Sequence, residues 1–166
     1  IAENGGVVTD GFDKEPIVSD HIQECEEAFN FLSQALDMEK LDSSLRKTEI
    51  VLRRNFDIET ARALLKTTGL DVEIIDTHFA IHIKSKRINK GTGLERMADL
   101  MGLRVSDFVA IGDSVNDVEM LDMAGFAVAV GNADHMVKSV ADYVAGTTFG
   151  DGTAEAIDYL ISHGML

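Results

Sequence analysis

Phe108-Val109-Ala110-Ile111-Gly112 is a nearly continuous apolar run, preceded by Asp107 and ending on Asp113. A strand that is apolar at successive positions has no solvent face, which is the pattern of a parallel sheet covered by helices on both sides. The sequence around it agrees. Leu94, Met97, Ala98 and Met101 mark a helix stopped by Gly102, and a short helix is predicted over Val118–Met123. Phe126 to Val130 reads as a second buried strand. A helix over about Asp134–Ser139, a short strand at Tyr143-Val144 and a final helix from a Thr153 cap through Ala156, Ile157 and Leu160 complete the series. Strands alternating with helices predict an α/β fold with a Rossmann-like, doubly wound parallel sheet.

The residues before Asn89 have a different character. Ile1-Ala2-Glu3-Asn4-Gly5-Gly6-Val7-Val8 reads as a strand entering a tight turn at Asn-Gly-Gly. Because a natural chain rarely opens inside a strand, the sequence is expected to be a fragment or processed form with residues missing upstream. Ser19 is the expected N-cap of a helix through Ile22, Cys25, Phe29, Leu32 and Leu36, about five turns long. Thr48 to Arg54 reads as a strand, and Asp57 caps a helix carrying Ile58, Ala61, Leu64 and Leu65 that Gly69 ends. Val72 and Ile74, then Phe79, Ile81 and Ile83 opposite His82 and Lys84, alternate as two adjacent antiparallel strands. This order predicts a small α+β lobe with its helices on one face of a short sheet. Pro16, the one proline, lies in the linker leading into it.

The chemistry gathers where the buried strand ends, since ligands of open α/β sheets bind at the carboxyl ends of strands. Gly112 permits a sharp turn there, and Asp117, four residues after Asp113, can project into the same space. Two carboxylates and the Asn116 amide form a hard, oxygen-rich set that suits Mg2+. Asp113 and Asp117 could instead simply cap the short helix. Lys90, at the opening of a helix in Asn89-Lys90-Gly91-Thr92-Gly93, can hold a phosphate oxygen and offset the carboxylates. Taken alone, it could equally be a surface lysine.

The chain has 15 basic and 29 acidic side chains, a formal charge of −14. That surface repels nucleic acid and anionic lipid, and it also repels phosphorylated substrates unless a lysine or a metal ion reverses the local field. The single cysteine, Cys25, excludes an intrachain disulfide and a cysteine-based zinc set. The sequence has no signal peptide and no apolar run of the roughly 18–20 residues a membrane span needs, so a cytoplasmic protein is expected.

Asn89-Lys90-Gly91, then Val109-Ala110-Ile111-Gly112-Asp113-Ser114-Val115-Asn116-Asp117 and Ala129-Val130-Gly131-Asn132-Ala133, resemble the haloacid dehalogenase superfamily. Within it the chain is similar, from end to end, to the type whose α/β cap is inserted between the second and third motifs. It also resembles the archaeal phosphoglycolate phosphatases. The resemblance implies that residues 1–15 and 87–166 belong to the core and 16–86 to the cap. It implies Asp113 and Asp117 as Mg2+ ligands, the latter directly or through water. Lys90, Asn116 and Asn132 become substrate-binding residues, the asparagines either bonding phosphate or holding the acidic residues in place. The family's Asp-x-Asp nucleophile motif and its phosphate-binding Ser/Thr are absent, so this chain holds no catalytic nucleophile. The implied reaction is Mg2+-dependent hydrolysis of a small phosphomonoester, 2-phosphoglycolate, through an aspartyl-phosphate. A sugar-phosphate phosphatase, a phosphomutase, or an inactive fragment or binding module stay open, as does a homodimer. Arg53, Arg54, His78, His82, Lys84, Lys86 and Arg87 are candidate binders of a substrate carboxylate, although long basic side chains on an open sheet face are commonly solvated.

Overall fold

The computed structural model describes residues 1–41, 46–77 and 79–165. It divides into two compact units, Ile1–Ile88 and Asn89–Leu166. The division falls two residues after the expected boundary at 86/87, and residues 1–15 lie in the first unit.

In the first unit, β1 (Val7–Val8) pairs antiparallel with β2 (Ile17–Val18). Then follow α1 (Ile22–Leu32), β3 (Glu49–Leu52), α2 (Ile58–Leu65), β4 (Val72–Asp76) and β5 (Ile81–Ser85), the strands forming an antiparallel sheet in the order β3-β5-β4. Alternate residues Ile50, Leu52, Val72, Ile74, Ile81 and Ile83 pack with Cys25, Ala28, Leu32, Ala61 and Leu65 of the two helices in one core. Helices on one face of a short sheet are as the periodicity requires. Asp57 caps α2 as expected, its carboxylate accepting from Thr60 N at 2.8 Å.

Three local expectations fail, each because a distant partner intervenes. Glu3–Gly5 form a 3-10 turn rather than a strand, with Glu3 and Asn4 at φ of 48° and 54°. The Glu3 carboxylate accepts from Thr48 N (2.8 Å), Thr48 Oγ1 (2.8 Å) and Lys47 N (3.0 Å), and Asn4 Nδ2 donates to Glu49 Oε2 at 2.9 Å. These bonds hold the left-handed residues that an extended strand would not contain. Helix α1 runs three turns, not five, and does not start from a Ser19 cap: Ser19 N donates instead to Gly6 O at 2.8 Å. Glu49, His82 and Lys84 do not lie on a solvated face, for all three are buried. Register places Glu49 and Glu73 opposite Lys84 on its two sides, a ladder of opposite charges that lets the lysine be buried.

The second unit contains α3 (Lys90–Met101), β6 (Val109–Gly112), α4 (Val118–Met123), β7 (Phe126–Ala129), α5 (His135–Val140), β8 (Tyr143–Val144) and α6 (Phe149–Ser162). The strands form a parallel sheet in the order β6-β7-β8. Ala110, Leu121, Ala127, Ala129, Val130, Ala133 and Val137 make its core. Gly102 ends α3 in the left-handed conformation, φ 67°. The expected strand start at Phe108 moves to Val109, because Val105–Asp107 form a 3-10 turn tied by Arg104 to Asp107. Helix α6 starts at Phe149, not at Thr153. The Asn132 side-chain Oδ1 accepts from Phe149 N at 2.6 Å and holds that residue at φ 52°. No helix among the described residues is long and apolar enough to cross a membrane.

Glu155 fastens the loop between β8 and α6. Its carboxylate accepts from Thr147 Oγ1, Gly146 N, Tyr143 Oη and Thr147 N at 2.6–2.9 Å, and these bonds, the Thr147 hydroxyl first, pull its pKa from 4.5 to about 2. A carboxyl lowered in the folded state adds stability that is present above pH 4.5 and lost as pH falls toward 2. Glu155→Gln is expected to lower the urea midpoint at pH 7 and to flatten the acid limb of midpoint against pH over that window.

Candidate functional site at the carboxyl end of β6

Strand β6 delivers Gly112 into the sheet and Asp113 just beyond it. Val130 N donates to Gly112 O (3.2 Å) and Asp134 N to Asp113 O (2.9 Å), so the segment after β7 fixes the backbone on both sides of the turn. The chain then closes a 3-10 turn, Val115–Asp117, and enters α4.

Asp117 organises this turn. Its side chain is 5% exposed. Oδ2 accepts from Asp113 N and Ser114 N, both at 3.0 Å, and Oδ1 takes the Lys90 ammonium. Gly112 is required beneath it, because a Cβ there would lie 2.6 Å from the Cβ of Asp117.

Lys90 arrives from the start of α3. Asn89 caps that helix reciprocally with Thr92: Asn89 Oδ1 accepts from Thr92 N (2.8 Å) and Thr92 Oγ1 from Asn89 N (3.1 Å). Gly91 lets α3 approach α4, since a Cβ there would meet Met123 Sδ at 2.8 Å and Glu119 O at 3.1 Å. The Asn-Lys-Gly-Thr string thus has three separable tasks: cap, cation and close approach. The capping residues and Gly91 were not singled out from sequence, although Asn and Thr at three-residue spacing before an apolar periodicity are a visible signal.

Asp113 is exposed, and its Oδ1 accepts from Ser114 Oγ at 3.2 Å. Asn116 lies half-buried in the turn between the two aspartates. The structure therefore brings Lys90, Asp113, Asn116 and Asp117 together. Asn132 is engaged elsewhere through its side-chain Oδ1, which holds the first residue of α6. Among the described residues no group of three or more His, Cys, Asp or Glu could hold a metal ion. Mg2+ needs only one or two carboxylates beside waters and phosphate oxygens, so an exposed Asp113 fits it. Asp117, with its oxygens given to an ammonium and two amides, fits as a ligand through water.

The basic residues of the first unit are mostly matched by carboxylates. Arg53 meets Glu39 (2.9 Å), Arg54 Asp76 (2.8 Å), Lys84 Glu73 (2.6 Å), Arg87 Asp71 (3.0 Å), and His82 lies 3.2 Å from Glu49. Lys86 is exposed. His78 lies outside the described residues. Asp117→Ala would strand a partly buried ammonium and two amides, at a cost of about 3 kcal/mol. Urea denaturation should show that loss, and hydrogen exchange should show the amides of Asp113 and Ser114 losing protection.

Residues 26–157 match the haloacid dehalogenase-like hydrolase family. Over 166 residues the chain is 55% identical to the phosphoglycolate phosphatase of Methanosarcina mazei and 53% identical to that of Methanosarcina acetivorans, covering all of this chain and 74% of each relative. Its fold is similar to the crystal structure of a Thermoplasma acidophilum protein, with a TM-score of 0.77 and 19% identity over 99% of this chain and 71% of that one.

Proposed function

The chain belongs to the haloacid dehalogenase-like hydrolase family and is a phosphatase of that superfamily, and on that premise we propose that its reaction is the Mg2+-dependent hydrolysis of 2-phosphoglycolate. The substrate reading is supported by the names of the Methanosarcina relatives. The observation that carries the metal reading is the division of labour between two aspartates at one strand end. Asp117 is buried and fully engaged, while Asp113 is exposed.

In this reading Asp113 holds Mg2+, with Asp117 behind it through water. Bound there, the ion would offset the charge of the phosphoryl oxygens. Lys90 offers its ammonium to the same oxygens while Asp117 keeps it in place. Asn116 contributes a hydrogen bond to phosphate from within the turn. Asn132 acts through its amide or by ordering the start of α6. Neither Asp113 nor Asp117 is the attacking group. The nucleophile that forms an aspartyl-phosphate is assigned to a part of the protein outside these 166 residues, consistent with the 74% coverage of the relatives. Residues 1–15 and 87–166 are assigned to the core, and residues 16–86 to the cap that selects the substrate.

Phosphate release from 2-phosphoglycolate by the full-length protein tests the reading. Activity should require Mg2+, vanish with EDTA and fall by at least about 100-fold in Asp113→Ala and in Lys90→Ala. Full activity of Asp113→Ala would sink the metal assignment. A faster turnover of sugar phosphates than of 2-phosphoglycolate would sink the substrate assignment alone.

A further inference from the structure

The two edges of the β3-β5-β4 sheet are in different states. Beyond β3, Leu41 N donates to Val51 O and Glu39 O accepts from Arg53 N, both at 2.9 Å, so the segment before β3 covers that edge. Among the described residues no strand lies beyond β4. Its phase follows from the ladder. Lys86 N donates to Asp71 O and Thr77 N to Ala80 O, each at 3.0 Å. In the same phase, Glu73 pairs with Lys84 and Ile75 with His82. The backbone groups of Val72 and Ile74 therefore point away from β5. Of these, among the described residues, only the Ile74 carbonyl is met, by Arg62 Nε (3.3 Å) and Nη2 (3.0 Å), and a carbonyl keeps a second lone pair.

A groove of about 830 Å³ runs between this edge and the second half of α2. Leu65 and Leu70 give it an apolar floor, and Arg62, Lys66, Lys86 and Arg87 a basic rim. Its two acidic residues are already held, Asp71 by Arg87 at 3.0 Å and Glu73 by Lys84 at 2.6 Å. Arg62 is paired with Glu59 at 2.8 Å, so Lys66 and Lys86 are, among the described residues, the rim cations without an ion pair, in a chain where acidic side chains outnumber basic ones 29 to 15. The local charge is the reverse of the whole, and the open backbone groups ask for a strand.

We propose that this groove binds an extended acidic segment of a partner protein, which adds a fourth strand beside β4 and lays its carboxylates on Lys66 and Lys86. Main-chain bonds to Val72 and Ile74 give the register, and the rim lysines give the preference for acidic side chains. The groove is lined by residues of the first unit alone.

The test titrates the isotope-labelled 166-residue chain with a short blocked peptide of alternating Asp and Val. A Lys–Val peptide and an Asp–Val peptide with a central proline are the comparisons. The Asp–Val peptide should slow amide exchange at Val72 and Ile74 and leave Glu73 and Ile75, already bonded to β5, unchanged. The other two peptides should do neither. The double variant Lys66→Glu/Lys86→Glu, with unchanged circular dichroism, should bind the Asp–Val peptide at least about tenfold more weakly. Undiminished binding by that variant, binding without protection at Val72 and Ile74, or no binding of the Asp–Val peptide overturns the proposal. Concentration-dependent protection of Val72 and Ile74 in the chain alone also overturns it, assigning the edge to a second copy.

Discussion

The second unit is organised around one carboxylate. Asp117 gives one oxygen to the Lys90 ammonium and the other to the amides of Asp113 and Ser114. An uncompensated charge at this depth would be expensive, so the side chain tolerates burial only because every face of it is answered. The same bonds set the geometry around it. They fold the turn after β6 so that Asp113 stays outside, and they anchor the first turn of α3 against α4. The two glycines beside the cluster, Gly91 and Gly112, are the positions where a methyl group would push these elements apart.

In the first unit a second buried carboxylate has a comparable role. Glu49, 1% exposed at its side chain, accepts from Arg46 at 2.7 Å and Asn4 at 2.9 Å and lies 3.2 Å from His82. Burial alone would push its pKa up, but His82, Asn4 and Arg46 together hold it below the usual value. The sheet therefore has an apolar side facing α1 and α2 and a charged side on which Glu49, His82 and Lys84 are also buried. Unlike an oil-filled interface, such a side is specific about its neighbours: each group must be matched by a partner of the right kind.

Elements governed by adjacent residues were legible in the sequence. The α2 cap at Asp57, the α3 stop at Gly102, the bounds of α4 and the parallel strands β6 and β7 each follow from a local pattern. What could not be read depends on bonds across the chain. The Glu3 turn needs Thr48, 45 residues away. The start of α6 needs Asn132, 17 residues from Phe149. The site followed the same rule. Asp113, Asp117 and Lys90 were recognisable as a set, but that Asp117 spends its oxygens on Lys90 and the turn, 27 residues from the lysine, emerges only from the fold. The basic residues of β5 looked solvent-bound until register set Glu49 and Glu73 beside Lys84.

The strip of backbone from Glu39 to Leu41 along β3 has a consequence for how this sheet can behave among many copies of itself. Open-ended stacking requires each unit to offer two free edges, one to give and one to receive. Here one is shut by the chain's own residues and bonded at Val51 and Arg53. Growth through this sheet is consequently self-terminating: a neighbour can join at β4, but no third can follow on the far side. A small sheet with β-branched residues at its heart is thereby kept from becoming a link in a fibre.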